Sequence, residues 1–194
     1  MGRIIFLLII SVAAVSLPEA SAQNAAIKSN LLSDAFLNPN AAAEVRLAPK
    51  WTLDVSTQIN LWSVNDHYWK HWALQPEARY WLCDTFAGHF FGVHAMAGQY
   101  NVGNLDFDFK FLGTDFSKLK DSRYQGWFGG LGIAYGYDWC LSENWNLEAE
   151  LGIGWTYTRY DRYPCTECGT KLEEKHPHNY FGVTKAAISL VYVF

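Results

Sequence analysis

Apolar and polar residues alternate along most of this chain, in segments separated by turn residues. Successive side chains of a strand point to opposite faces, so a period of two predicts strands with one apolar and one polar face. The clearest segment is 179–194, where Ile188, Leu190, Tyr192 and Phe194 alternate with Ala187, Ser189, Val191 and Val193. An apolar strand here would be a sticky edge unless another strand pairs with it. Outer-membrane barrels finish in this way, on a closing strand that ends in Phe, and the rest of the chain is read as the sheet that this strand closes.

About eight strands follow from the same alternation. The first, 25–32, sets Ile27, Ser29 and Leu31 against Lys28 and Asn30, and a short loop with Pro39 follows. In the second, Ala41, Ala43, Val45 and Leu47 oppose Glu44 and Arg46; in the third, Trp51, Leu53, Val55 and Ile59 oppose Asp54, Ser56, Gln58 and Asn60. A polar loop, 63–70, precedes the fourth, where Trp72, Leu74, Ala78, Tyr80 and Leu82 oppose Gln75, Glu77, Arg79 and Trp81. Pro76 cannot donate to a ladder, which predicts a bulge. The fifth strand runs from a turn at 84–85 to about residue 102, with Phe91, Val93 and Ala95 outward and Gly92, His94, Met96 and Gly98 inward.

A long loop, 103–121, leads to the sixth strand, where Trp127, Leu131, Ile133, Tyr135, Tyr137 and Trp139 oppose a face of Gly126, Gly130, Gly132, Ala134 and Gly136. The seventh sets Trp145, Leu147, Ala149, Leu151, Ile153 and Trp155 against Glu148, Glu150, Gly152 and Gly154, and a second long loop, 160–178, precedes the closing strand. Tight turns alternate with longer loops, so the turns gather at one end and the loops at the other. Aromatic residues mark both ends: Trp51, Tyr80, Tyr137, Trp139, Trp145, Tyr192 and Phe194 at the turn end, Trp72, Trp127 and Trp155 towards the loops. The expected fold is all-β, an eight-stranded antiparallel up-and-down transmembrane β-barrel of the outer-membrane type. The alternative is a soluble lipocalin-like ligand-binding barrel with its apolar face inward. Its outer face should then be rich in charged residues, whereas the polar-side face of the sixth strand is almost all Gly and Ala.

The start of the chain bears on location. Arg3, an apolar run from Ile4 to Val15 and Ala20-Ser21-Ala22 make residues 1–22 a signal peptide, leaving 23–194 as a single barrel domain. The run is too short to span a bilayer as a helix. Export to the outer membrane is therefore expected, with outer-membrane lipid and the barrel-assembly machinery, through the C-terminal strand, as partners. Aromatic residues make up 16% of the chain against 18% charged, the balance that a membrane boundary selects. A net charge of -4 with scattered Lys and Arg offers no basic face for nucleic acid.

The inward face collects charges of both signs. Lys28, Arg46, Arg79 and Lys185 are expected to meet Glu44, Glu77, Glu148 and Glu150, with Asp54 and Asp138 nearer the turn-end mouth. Charges buried together are tolerated when they are paired and hydrogen-bonded, so the set reads as packing of the interior. Paired carboxylates also serve acid-base catalysis, but that requires a cleft admitting substrate.

Several words of the sequence resemble a known family: KHWALQPEARYW (70–81), GVHAMAGQYNVG (92–103), RYQGW (123–127), WNLEAELGIG (145–154) and YFGVTKAAISL (180–190). They are similar, in the same order, to Bacteroidales envelope proteins grouped as domain of unknown function 3575. The resemblance implies an outer-membrane barrel, often associated with genes for fimbria-like surface structures. It brings no active site.

Two loop features add chemistry. Cys165 and Cys168, with His176 and His178, have ligand types and spacings suited to zinc, while the plainer reading is a local disulfide or two loop thiols. No metal and no cofactor is assigned. Cys83 and Cys140, near turn ends, are expected to be buried thiols, with a bridge between them as an alternative, and His94 a satisfied core histidine. Phe107, Phe109 and Phe111 alternate with Asp106, Asp108 and Lys110; they form either a hairpin wall or an aromatic edge for a partner's strand. The expected function is a structural or binding platform that presents loops to a surface or fimbrial protein, and not an enzyme. A lipid-modifying barrel enzyme is the alternative, and no nucleophile-base pair marks one. A channel is third, disfavoured by a filled interior.

Overall fold

The computed structural model describes residues 24–61, 63–64, 67–103, 110–111, 114–115, 122–164 and 172–194. Eight strands run β1 Ala25–Asn30, β2 Asn40–Ala48, β3 Trp51–Asn60, β4 His67–Trp81, β5 Gly88–Gly103, β6 Arg123–Cys140, β7 Trp145–Tyr163 and β8 Glu173–Val193. Each is antiparallel to its sequence neighbour, and β1 pairs with β8, from Ala26 opposite Val193 to Asn30 opposite Ser189. The sheet therefore closes into a ring. Phe194 completes the seam: its carbonyl accepts from the backbone N–H groups of Asn24 and Ala25, and its own N–H donates to Ala25. Closure gives each of the eight a partner on both sides, β8 meeting β1 along Ser189–Val193, and pairing is how an apolar strand end avoids adding to other chains.

The two faces of the ring are the reverse of those of a water-soluble domain. Outside, Ile27, Leu47, Phe91, Val93, Leu131, Ile133, Leu151 and Phe181 are among many large apolar side chains more than half exposed. Inside, Lys28, Glu44, Asp54, Glu77, Arg79, His94, Asp138, Glu148 and Glu150 are buried. The alternation read from the sequence gives the facing along β2 to β7.

Local chemistry changes several boundaries. The first strand stops at Asn30, not 32, because Asn30 caps a short helix, α1 Leu31–Ala35, accepting from the Leu32 N–H at 3.1 Å. Asp34 of that helix accepts from Ser29 at 2.7 Å and from Asn40 at 2.9 Å, tying it to both flanking strands. The polar loop expected at 63–70 is shorter: β4 begins at His67, and Ser63–Val64 pairs back on it. Strands also invade the two long loops, since β7 continues to Tyr163 and β8 starts at Glu173. No bulge forms at Pro76. It pairs with Val55 on one side, and the β4–β5 ladder keeps one register from Leu74 opposite Ala97 to Glu77 opposite His94. Register shifts lie instead at Arg46/Ala48, at Tyr160/Arg162 and in the middle of β8, where Gly152 faces Lys185 but Ile153 faces Val183 and Thr184 is the extra residue. Such a bulge lets two consecutive side chains point the same way.

Candidate functional site

The interior is organised around Arg79 of β4, which is 1% exposed. Its Nε donates to Glu77 at 2.6 Å, Nη1 to Glu44 and Glu148 at 2.8 Å each, and Nη2 to Glu150 at 2.7 Å and Glu148 at 3.2 Å. Lys28 of β1 donates to Glu148 at 2.6 Å and pairs with Glu44, with Asp54 at 3.6 Å. Lys185, brought inward by the β8 bulge, reaches Glu77 at 3.0 Å and Glu150 at 3.1 Å. Charge-assisted bonds of this length are the strong ones, and a fork of five N–H donors suits Arg to the central place.

Ladder register brings the partners together. Glu44 lies opposite Asp54, Asp54 opposite Glu77 and Glu77 opposite His94, so one cross-strand row runs over β2 to β5. Room for it comes from β5 and β6. A Cβ on Gly92 would stand 2.6 Å from the Glu77 carboxyl carbon, and one on Gly132 would strike the His94 ring. His94 instead bridges Glu77 at 3.4 Å and Thr184 at 2.9 Å.

Seven of the eight residues expected in the charge set thus meet: Lys28, Glu44, Glu77, Arg79, Glu148, Glu150 and Lys185. Arg46 is the exception. It shares the inward face but is half-buried near the turn end, and it joins none of the ion pairs among the described residues. Asp54 belongs to the network more closely than its expected place nearer the turn-end mouth suggests. Six carboxylates, counting Asp138, stand against three cations among these buried groups. Both Asp138 oxygens and one each of Glu44, Asp54 and Glu150 lack a hydrogen-bond partner among the described residues. A polar cavity of about 220 Å³ borders the network, lined by Asn40, Gln58, Gln75 and Ser189 as well as by Lys28 and Lys185. Cavities of that polarity hold water bonded to such groups.

Sequence reasoning missed the apolar stopper on the turn side. Trp81 packs on Phe90 with ring centroids 4.8 Å apart and on Phe86 at 6.1 Å, and its indole N–H donates to Thr52 at 2.9 Å. The Arg79 guanidinium lies 4.4 Å over the Phe90 ring. Phe86 comes from the β4–β5 turn, at φ 64°, with its carbonyl held by Asn146 at 2.7 Å. Its only signal was an aromatic residue within a turn.

The thiol expectation needs correction. Cys83 and Cys140 are exposed and unbridged, because each sits at a strand end beyond the interior. Cys165 and Cys168 lie outside the described residues. His176 is exposed beside Tyr160 at 5.5 Å, and no group of metal-ligating side chains is assembled among the described residues. Phe107 and Phe109 also fall outside them; Phe111 pairs through its backbone with Thr114 in a two-stranded hairpin separate from the ring.

No curated protein and no solved structure matches this chain. The family described as Protein of unknown function (DUF3575) matches residues 4–194, and the chain belongs to it.

Proposed function

We propose that this protein is an integral outer-membrane β-barrel, exported on its N-terminal signal and serving as a rigid platform whose loops engage a surface or fimbrial partner. The observation that carries the proposal is the reversed surface, with apolar side chains outside and ionisable groups inside the ring. Lipid is the solvent that accepts such an exterior, and a closed ring satisfies every backbone group without water. The aromatic spacing supports this. Trp145 to Trp155 on β7 and Trp127 to Trp139 on β6 are ten and twelve residues apart. At about 3.3 Å per residue and the usual tilt near 45°, those spans rise roughly 23 to 28 Å, the height of the apolar band of such barrels. The apolar-inward arrangement of a lipocalin-like barrel is the opposite of this one.

The interior supports a platform over a channel. Arg79 and its carboxylates fill the middle and Trp81, Phe86 and Phe90 the turn side, which leaves the loops to bind. The test is heat modifiability with fractionation. The mature protein should pellet with outer membranes and run faster on gels unboiled than boiled; recovery as a free periplasmic protein would overturn the reading.

A further inference from the structure

On the outer face, just beyond the Trp72 and Trp127 level, the sheet carries a polar groove that the platform reading leaves unused. Trp72, Gln99, Trp127 and Arg159 lie side by side across β4 to β7. One step towards the loops, Lys70, Asn101, Gln125 and Asp161 form the next row. These rows line a groove of about 490 Å³, to which β8 adds Lys175.

Lys175 is held in place by β7. Its backbone sits at φ 53°, a conformation that a non-glycine residue keeps only when its surroundings impose it. The Asp161 carboxylate accepts from its N–H at 2.7 Å, and its carbonyl accepts from Arg159 Nε at 3.3 Å. Asp161 and the Arg159 Nε are thus engaged locally, while the Arg159 Nη groups have no protein partner among the described residues. Lys70, Arg159 and Lys175 then bring three cations against two carboxylates, Asp161, which is engaged by the backbone, and Glu174, which lies 3.9 Å from the Lys175 ammonium, on a chain of net charge -4.

We infer that this groove binds the phosphorylated head group of an outer-leaflet glycolipid. The site follows from position and charge together. Trp72 and Trp127 stand at the boundary where acyl chains give way to head groups. A guanidinium and ammonium groups immediately above them match phosphate oxygens, while the Gln99, Asn101 and Gln125 amides suit sugar hydroxyls. The inference rests on the membrane reading above.

The full-length mature protein, folded in neutral detergent micelles, would be titrated with phosphorylated lipid A, dephosphorylated lipid A and inorganic phosphate. Phosphorylated lipid A should bind about tenfold or more tightly than the dephosphorylated form, and inorganic phosphate far more weakly than either. The combined variant K70Q, R159Q and K175Q should lose the discrimination. Gln125→Lys, which adds a cation to the same rows, should tighten binding of the phosphorylated form alone, and it answers the question if the triple variant fails to fold. Equal affinity for the two lipids, phosphate binding as tight as lipid, or a Gln125→Lys variant indistinguishable from the parent would each overturn the inference. Heat modifiability and fractionation are read on the same preparations. A membrane-embedded protein without phosphate discrimination removes this inference and leaves the membrane reading standing, whereas a protein found free of membranes removes both.

Discussion

Arg79 donates to four carboxylates from a fully enclosed position, so its removal leaves Glu44, Glu77, Glu148 and Glu150 facing one another with only Lys28 and Lys185 between them. Arg79→Ala should cost about 3 to 5 kcal/mol of stability in reversible urea unfolding from detergent or lipid, the range for breaking a buried pair. Lys50→Ala removes an exposed bond to the Leu82 carbonyl and should cost well under about 1 kcal/mol. Equal losses at the two sites would contradict the inward assignment. Gly92 offers a sharper probe, because the three nearest atoms that an added Cβ would meet all belong to the Glu77 side chain. Gly92→Ala should destabilise by about 1 to 3 kcal/mol. The penalty should shrink in a Glu77→Ala background, a coupling of about 0.5 to 3 kcal/mol in a double-mutant cycle. Glu77 and Arg79 could be assigned to the inward face from the chain alone, but not their partners. Lys28 and Glu148 are 120 residues apart, and only ladder register sets them 2.6 Å from each other.

Among the elements, β8 departs from regular alternation at a single residue in its middle. Thr184 is the extra residue that lets Lys185 point inward although Val183 and Phe181 beyond it point outward. Deleting Thr184 would leave a regular strand in which Lys185 and every residue on its N-terminal side keep their faces, because the ladder already steps from Lys185 to Val183 past it. The expected result is that the fast-migrating folded band survives the deletion, which removes only the hydroxyl bonded to His94 at 2.9 Å, and loss of the band would show that the bulge itself is needed. β6 allows a test of depth. Ile133 lies mid-strand on the apolar face and Gln125 near the loop end. Ile133→Arg should cost about 2 to 4 kcal/mol and Gln125→Arg about 0 to 1, if lipid surrounds the strand. Comparable small costs would indicate water at both positions. Period-two alternation made most of these strands legible. It did not reveal the bulge, since Thr184 and Lys185 break the alternation by one residue and the ladder partners alone show where. Pro76 misled for the related reason that an unavailable N–H was read as an extra residue, whereas the strand interrupts one ladder without shifting it.

At the scale of the molecule, the interior is closed on the turn side by Trp81, Phe86 and Phe90 and crossed by the Arg79 network, and the proposed platform would bind at its loop end. Shortening 104–121 or 165–171 should leave a heat-modifiable protein that no longer copurifies with its partner from mildly solubilised membranes. Changing Phe107, Phe109 and Phe111 together to Ser should do the same if that edge makes the contact. An altered membrane lipid profile with an unchanged set of copurifying proteins would favour a lipid-modifying enzyme and refute the platform.

The sequence by itself determined which face of β2 to β7 is apolar, how many strands close the ring, and that charges of both signs share one side. These are local properties of a chain whose side chains alternate at every residue. Tertiary structure alone decided the register in which β1 and β8 meet, that Arg46 stays out of the network while Asp54 enters it, and that a turn residue, Phe86, closes off the charged interior. Each of those depends on register between strands far apart in the chain, and a shift of one residue there changes every contact while leaving the local pattern untouched.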